Sequence, residues 1–251
     1  MSKRIWIVGG SSGIGLELVK LWINEGAQVI VSARKASKDE YLSTLRQMFP
    51  TSLHLLDMDV TDSNSVSDTV KRVWSIYEGI DLFFYNAGAY ESMQMQEWKL
   101  EHFEQMMQVN YLGAVRIITA IFPYFEAQKR GKWVFNLSLS SYFGLPYAGA
   151  YSAPKAALLN LCESIQLELL EKNINVQIIN HGFVKTRLTA KNDFEMPQVM
   201  LPEAAAKKIF EGLNCSYRFE LRFPFALSLF LRTLRLLPYK LSLALTKKAP
   251  K

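Results

Sequence analysis

The chain has 251 residues, 49% of them hydrophobic and 21% charged, which suits one α/β domain with a substantial core and excludes a disordered chain. Its two cysteines, Cys162 and Cys215, form no CxxC pair and join no Cys/His cluster, so neither a disulfide scaffold nor a metal centre is expected, and two thiols fit a reducing cytoplasm. The net charge of +6 is uneven: residues 215–251 hold eight basic residues and a single acid, Glu220, so this tail carries +7 against −1 for residues 1–214, and an anionic partner is to be sought there.

Residues 3–8 read as a buried strand, with no signal-peptide core or cleavage site beside it. A glycine-rich turn and a helix over about 13–24 follow, then strand two at 28–33. Strands three and four fall at 53–56 and 81–85, and between them a helix starts at a capping candidate, Thr61 or Asp62. A long helical stretch covers about 98–128, strand five 132–137, a further helix 150–171, strand six 174–179 and another helix 202–213. Apolar strands alternating with helices predict an α/β fold, a doubly wound parallel sheet with helices on both faces. Residues 217–223 run Tyr, Arg, Phe, Glu, Leu, Arg, Phe, a strand with one buried face at the sheet edge, which brings the count to about seven. Pro224 and Pro238 bracket a helix over 225–237 with Ser228, Arg232 and Arg235 on one face, and the stretch beyond Pro238 fits helix or strand. One domain over residues 1–251 is expected, with 215–251 as an edge strand plus a basic amphipathic extension. No apolar run reaches the ~18 residues of a spanning helix.

The first strand leads into Gly9-Gly10-Ser11-Ser12-Gly13-Ile14-Gly15, in which Gly9, Gly13 and Gly15 give the spacing GxxxGxG. Glycine frees the backbone to turn and to approach a pyrophosphate, and the helix that follows offers its unpaired N–H groups and positive dipole end to the phosphates. The end of strand two selects the cofactor. An NAD site has an acid there for the ribose hydroxyls, whereas this chain has Ser32-Ala33-Arg34-Lys35. Arg34 suits a 2′-phosphate, so NADP(H) is expected.

Tyr151-Ser152-Ala153-Pro154-Lys155 is a YxxxK, whose i, i+4 spacing puts Tyr151 and Lys155 on one helical face. Pro154 belongs in a first turn, so the helix should begin near Tyr151, at the C-terminal sheet edge where open α/β sheets bind ligands. Taken together, the glycine turn, Asn86-Ala87-Gly88 after strand four, Asn110, Ser138 after strand five, and Tyr151 with Lys155 resemble the short-chain dehydrogenase/reductase family in order and spacing over about residues 3–186.

The resemblance implies a Rossmann-type fold and hydride transfer between a nicotinamide and a carbonyl or alcohol. In that reading Tyr151 exchanges a proton with the substrate oxygen, its pKa of about 10 lowered by Lys155 and the oxidised nicotinamide. Ser138, preferred over Ser140 and Ser141 for lying 13 residues before Tyr151, bonds the carbonyl oxygen. Asn110 positions a water that relays protons to Lys155, which also holds the nicotinamide ribose. Gly9, Ser11, Ser12, Gly13, Ile14 and Gly15 cradle the nucleotide, Asp59 meets the adenine, Asn86, Ala87 and Gly88 line the floor, and Val184 and Thr186 flank the nicotinamide. Asn110 has a plain alternative, satisfying buried backbone groups in its helix.

Four positions depart from the family's usual pattern: Val8 stands for Thr, Tyr85 for Asn, Ser141 for Gly and His181 for Pro. The usual glycine-rich C-terminal ending is also missing, which leaves a homo-oligomer, dimer or tetramer, packing through the 98–128 and 150–171 helices. Residues 187–201, where the family has its substrate lid, carry Leu188, Phe194, Met196, Val199 and Met200, which surround a hydrophobic substrate or simply cover the core.

The tail has three readings: a helix whose Phe/Leu face enters a membrane surface through residues 224–251 while Arg232, Arg235, Lys240, Lys247 and Lys248 meet anionic lipid, a cover for the pocket, or a subunit interface. Nucleic-acid binding is not expected, since the basic residues alternate with Leu and Phe and lack a reading motif. The expected function is an NADPH-dependent carbonyl reductase of a hydrophobic or lipid-derived substrate, cytoplasmic and peripheral on the inner face of a membrane. A soluble reductase of small polar carbonyls and a non-catalytic NADPH-binding scaffold are the alternatives.

Overall fold

A computed structural model describes residues 2–215 and 218–247; Tyr217 of the expected edge strand and Lys248 and Lys251 of the basic tail lie outside them. Seven strands, β1 (Arg4–Val8), β2 (Gln28–Ala33), β3 (Leu53–Asp57), β4 (Leu82–Tyr85), β5 (Gly131–Asn136), β6 (Ile174–His181) and β7 (Glu220–Phe223), form one sheet in the order β3-β2-β1-β4-β5-β6-β7. Every pairing is parallel. Alternate residues feed two cores. Trp6 and Val8 point toward α3 (Ser63–Tyr77), α5 (Gly113–Gln128) and α6 (Gly149–Leu170), and Ile5 and Ile7 toward α1 (Gly13–Asn24), α2 (Glu40–Met48) and α7 (Pro202–Asn214). Coverage on both faces is why the strands read as continuous apolar runs. Val8 pairs with Ser32 on one side and Tyr85 on the other, so β1, β2 and β4 end level. The strand order reverses between β1 and β4, which opens a crevice above their carboxyl ends.

The helices adjust the expectations in three places. The long stretch over 98–128 is broken into α4 (Leu100–Met107), a π-helical turn at Gln108–Leu112, and α5. Inside that turn the Val109 carbonyl accepts a hydrogen bond from the Tyr85 hydroxyl (2.5 Å). Helix α6 begins at Gly149, two residues before Tyr151, so Pro154 is its sixth residue rather than a first-turn residue. Asp62, not Thr61, caps α3, accepting from the Asn64 N–H (2.8 Å).

The tail folds as α8 (Phe225–Thr233) and α9 (Tyr239–Thr246), with a turn between them where the sequence predicts helix up to residue 237. Leu231 and Leu234 pack with Leu139, Tyr142 and Phe143. Arg232 pairs with Glu220 (2.9 Å) and Arg235 donates to the Tyr142 carbonyl (2.6 Å). Both arginines therefore hold the tail to the domain instead of facing a lipid surface, because Glu220 and a free carbonyl await them there.

Candidate active site

Loops from the ends of β1 to β6 meet around one cavity of about 1060 Å³. At the β1 end, Gly9 has φ +88° and sits so close to the next loop that a Cβ would fall 2.6 Å from the Ala87 nitrogen. Asn86 locks this turn: its Nδ2 donates to the Gly9 carbonyl (2.6 Å) and its Oδ1 accepts from Asn136 Nδ2 (2.7 Å). Ser12 caps α1 without a side-chain bond, and the first turn of α1 has no acid. Ser11, Ser12, Gly13 and Ile14 line the cavity here, with Thr186 opposite: its Cγ2 lies 3.1 Å from where a Gly13 Cβ would stand.

Arg34 and Lys35 line the cavity beyond β2. Asp57, at the end of β3, is tied to Ser37 through its side chain (2.6 Å) and backbone N–H (2.8 Å) and is not on the wall, whereas Asp39 is on the wall and caps α2, accepting from the Leu42 N–H (2.9 Å). Asp59 is on the wall. Burial pushes its carboxyl up, but two bonds from Thr61 with Arg34 and Arg116 nearby outweigh this and hold it below the usual carboxylate range.

At the other end, α6 presents Tyr151 and Lys155 from one face. Lys155 Nζ donates to the Asn136 carbonyl (2.8 Å) and lies 5.8 Å from the Tyr151 ring centre. Burial lowers the Lys155 ammonium to about 8. Burial also raises the Tyr151 phenol well above its ordinary value, opposed by a hydrogen bond with Ser138 and reinforced by Tyr90. The expected lowering of Tyr151 by Lys155 is thus not what the protein's own groups produce, because the cost of burying a phenolate outweighs the help available. Ser138 also accepts from Ser140, through the N–H (3.2 Å) and the hydroxyl (3.1 Å), while Ser141 turns away to Asn180 (3.1 Å).

The substrate end is apolar. Leu139, Leu145, Phe183, Leu188, Phe194 and Leu227 contribute to its wall. Of the expected lid residues, Leu188 and Phe194 line the cavity, Met200 packs on the core, Met196 accepts from Asn192, and Val199 is exposed. Tyr90 stacks edge-on against Tyr151 at 4.9 Å and donates to Asn192 (2.8 Å), so the lid is held to the loop beside the tyrosine.

All the expected cofactor residues line the cavity except Gly15, which stands behind the wall and keeps α1 against the turn: its Cβ would fall 2.2 Å from the Gly9 carbonyl. Asn110 is also behind the wall, fully buried, with its amide paired to the Ala89 backbone through both N–H (2.9 Å) and C=O (2.8 Å). The backbone it satisfies is that of the loop after β4 and not, as the plain alternative has it, that of its own helix. Sequence reasoning missed Tyr90, whose aromatic character next to the Asn86-Ala87-Gly88 run was a signal, and Asn136, a polar residue closing an apolar strand. The tail's share of the wall, Phe230, Leu231 and Leu245, is what its reading as a cover for the pocket expects.

Residues 3–196 match the short chain dehydrogenase family. An uncharacterized oxidoreductase of Myxococcus xanthus is 30% identical over 95% of this chain and 94% of its own length. The chain belongs to the short-chain dehydrogenase family. Its fold superposes on a short-chain dehydrogenase of Streptomyces avermitilis (TM-score 0.81, 23% identity, 98% of this chain and 96% of that one). It also superposes on one of Burkholderia cenocepacia in complex with NADP (TM-score 0.82, 21% identity, 97% and 98%).

Within the family pattern, the unusual residues of this short-chain dehydrogenase have local partners. Tyr85 reaches the π-helical turn, and Ser141 bonds Asn180. His181 lies against Phe223 and bonds the Gly182 carbonyl through Nδ1 (2.7 Å), and burial lowers its pKa to about 4, so it stays neutral near pH 7. Among the described residues no group of His, Cys, Asp and Glu could hold a metal, and no helix is long and apolar enough to cross a membrane.

Proposed function

We propose that the chain is an NADP(H)-dependent oxidoreductase that interconverts a carbonyl and an alcohol on a hydrophobic substrate. The observation that carries the reading is one continuous cavity with Arg34 at one end, the Tyr151–Lys155–Ser138 group in the middle and an apolar chamber beyond. The donor set fits NADP(H): guanidinium and ammonium groups at Arg34 and Lys35 suit a 2′-phosphate and stand at the end of β2 where an acid would favour ribose hydroxyls, and the start of α1 offers unpaired N–H groups. Gly9, Gly13, Asn86 and Thr186 shape the middle, and Asp59, Ala87, Gly88 and Val184 complete the wall.

When bound, the nicotinamide supplies or accepts the hydride. The protein's groups handle the proton. Burial keeps the Tyr151 hydroxyl protonated, which suits it to donate to a carbonyl oxygen during reduction. Ser138 is placed to hydrogen-bond the same oxygen as charge develops there. Lys155 holds a ribose hydroxyl and, with a pKa of about 8, exchanges protons near neutral pH. Asn110 supports the loop at Ala89 and thereby the wall beside Tyr90. Exposed Leu100, Leu167 and Leu170 on α4 and α6 favour a homo-oligomer formed through those helices.

The test is NADPH oxidation, followed by absorbance, against carbonyls graded by chain length. Turnover that rises with chain length and falls by about a hundredfold or more in Tyr151→Phe, with NADPH affinity unchanged, is the expected result. Tight NADPH binding with no turnover of any carbonyl would favour a non-catalytic role.

A further inference from the structure

The last helix among the described residues is built inside out. In α9, Ser242 is 0% exposed and Thr246 is buried, and their hydroxyls donate to the helix's own carbonyls. Tyr239, Leu241 and Leu243 are 71%, 54% and 57% exposed. A helix packed on a water-facing surface has the reverse arrangement. The same polarity continues through Leu229 and Phe230 of α8 and Leu236 and Leu237 of the connection, all exposed.

The charges say what covers this face. Residues 224–251 contain six basic residues and no acid. Arg232 and Arg235 are engaged with the domain, which leaves Lys240 and Lys247 with no ion pair among the described residues. A second copy seated here would bring these lysines against their own kind. An anionic lipid surface meets both needs, acyl chains for the leucines and headgroups for the lysines. The face also leads to the site: Phe230 and Leu245 are partly exposed and at the same time line the cavity.

We infer that α8 and α9 dock on an anionic bilayer and that the substrate passes from the bilayer into the cavity between Phe230 and Leu245. Docking stands on the surface alone; substrate entry rests on the proposed carbonyl–alcohol chemistry.

The experiment is co-sedimentation of the full chain with phosphatidylcholine vesicles, with and without phosphatidylserine, alongside light scattering without lipid. Binding to the phosphatidylserine vesicles that salt weakens, and that falls by about a hundredfold in Leu241→Glu/Leu243→Glu, supports docking. That variant should also lose turnover of a long-chain carbonyl dissolved in vesicles while keeping wild-type turnover of a short soluble one, as entry from the bilayer requires. Equal turnover of the vesicle-borne substrate by both proteins would overturn entry. No binding to anionic vesicles, or a lipid-free oligomer that the variant dissociates, would overturn docking and leave the reductase reading standing if soluble carbonyls turn over. Salt-sensitive vesicle binding with no turnover of any carbonyl would support docking and overturn the reductase reading.

Discussion

Lys155 is 4% exposed, and among the described residues its ammonium bonds a neutral carbonyl, that of Asn136, and no carboxylate. Its pKa falls from 10.5 to about 8 through burial, so the folded state binds this proton more weakly than the unfolded chain. Below pH about 8 both states hold the proton and folding bears the full cost, about 3 kcal/mol. Between about 8 and 10.5 the unfolded chain binds more protons, and stability therefore rises with pH. Urea unfolding of the wild type and of Lys155→Met should show a stability difference that shifts in favour of the wild type across this window. A difference independent of pH would mean that the lysine is not desolvated. At the other end of the cavity, Arg34→Ala should weaken NADPH binding by about tenfold to a hundredfold while leaving NADH nearly untouched, as read by fluorescence titration. Equal loss for both would remove Arg34 from the 2′-phosphate site.

The π-helical turn between α4 and α5 depends on contacts far apart in sequence. Gly113 has no room for a side chain, since a Cβ would lie 2.6 Å from the Tyr85 hydroxyl and 2.9 Å from Val60 Cγ2. Gly113→Ala should lower stability by about 1–3 kcal/mol, and Tyr85→Phe in the same protein should recover part of the loss by removing one of the two clashes. A double-mutant cycle in urea measures this, and strict additivity would break the link.

The same dependence explains what was legible. The first six strands were readable almost to the residue because each is buried on both sides, and α1, α3 and α7 were fixed by glycine, caps and proline, whereas Pro154, read as a first-turn residue, put the start of α6 two residues late. Helix α2 escaped notice because only Leu42 of its nine residues is buried. The π-helical turn takes a hydrogen bond from a tyrosine 24 residues away, a contact that no local pattern reports. Spacing and the family resemblance pointed to Tyr151, Lys155 and Ser138, which line one cavity, whereas the pKa directions follow from burial, which spacing does not encode. In the tail, the stripes of Leu and Arg are visible in the sequence, but not which stripe faces inward. Glu220, the first residue of β7, pairs with Arg232 and so marks the inward side of α8.

At the scale of the whole molecule, Glu220 joins the tail to the loop that carries Ser138. One carboxylate accepts from the Tyr142 hydroxyl, from Asn180 Nδ2 (2.7 Å) and from Arg232 (2.9 Å). Tyr142 ends the segment that starts at Ser138, Asn180 holds Ser141 in that segment, and Arg232 belongs to α8. Removing the carboxylate leaves the fully buried Asn180 amide without its acceptor and frees Arg232, so Glu220→Ala should cost about 2–4 kcal/mol of stability. The same change loosens the segment carrying Ser138 but touches nothing at the nucleotide end, so kcat for a soluble carbonyl should fall while NADPH affinity holds. Glu220→Gln, which keeps an acceptor for Tyr142 and Asn180 but loses the ion pair, should lie between. If Glu220→Ala loses stability with kcat intact, the tail is only a cover. If kcat falls in step with the loosening, α8 is part of what aims Ser138, and contacts made by the tail would reach the reaction through this carboxylate.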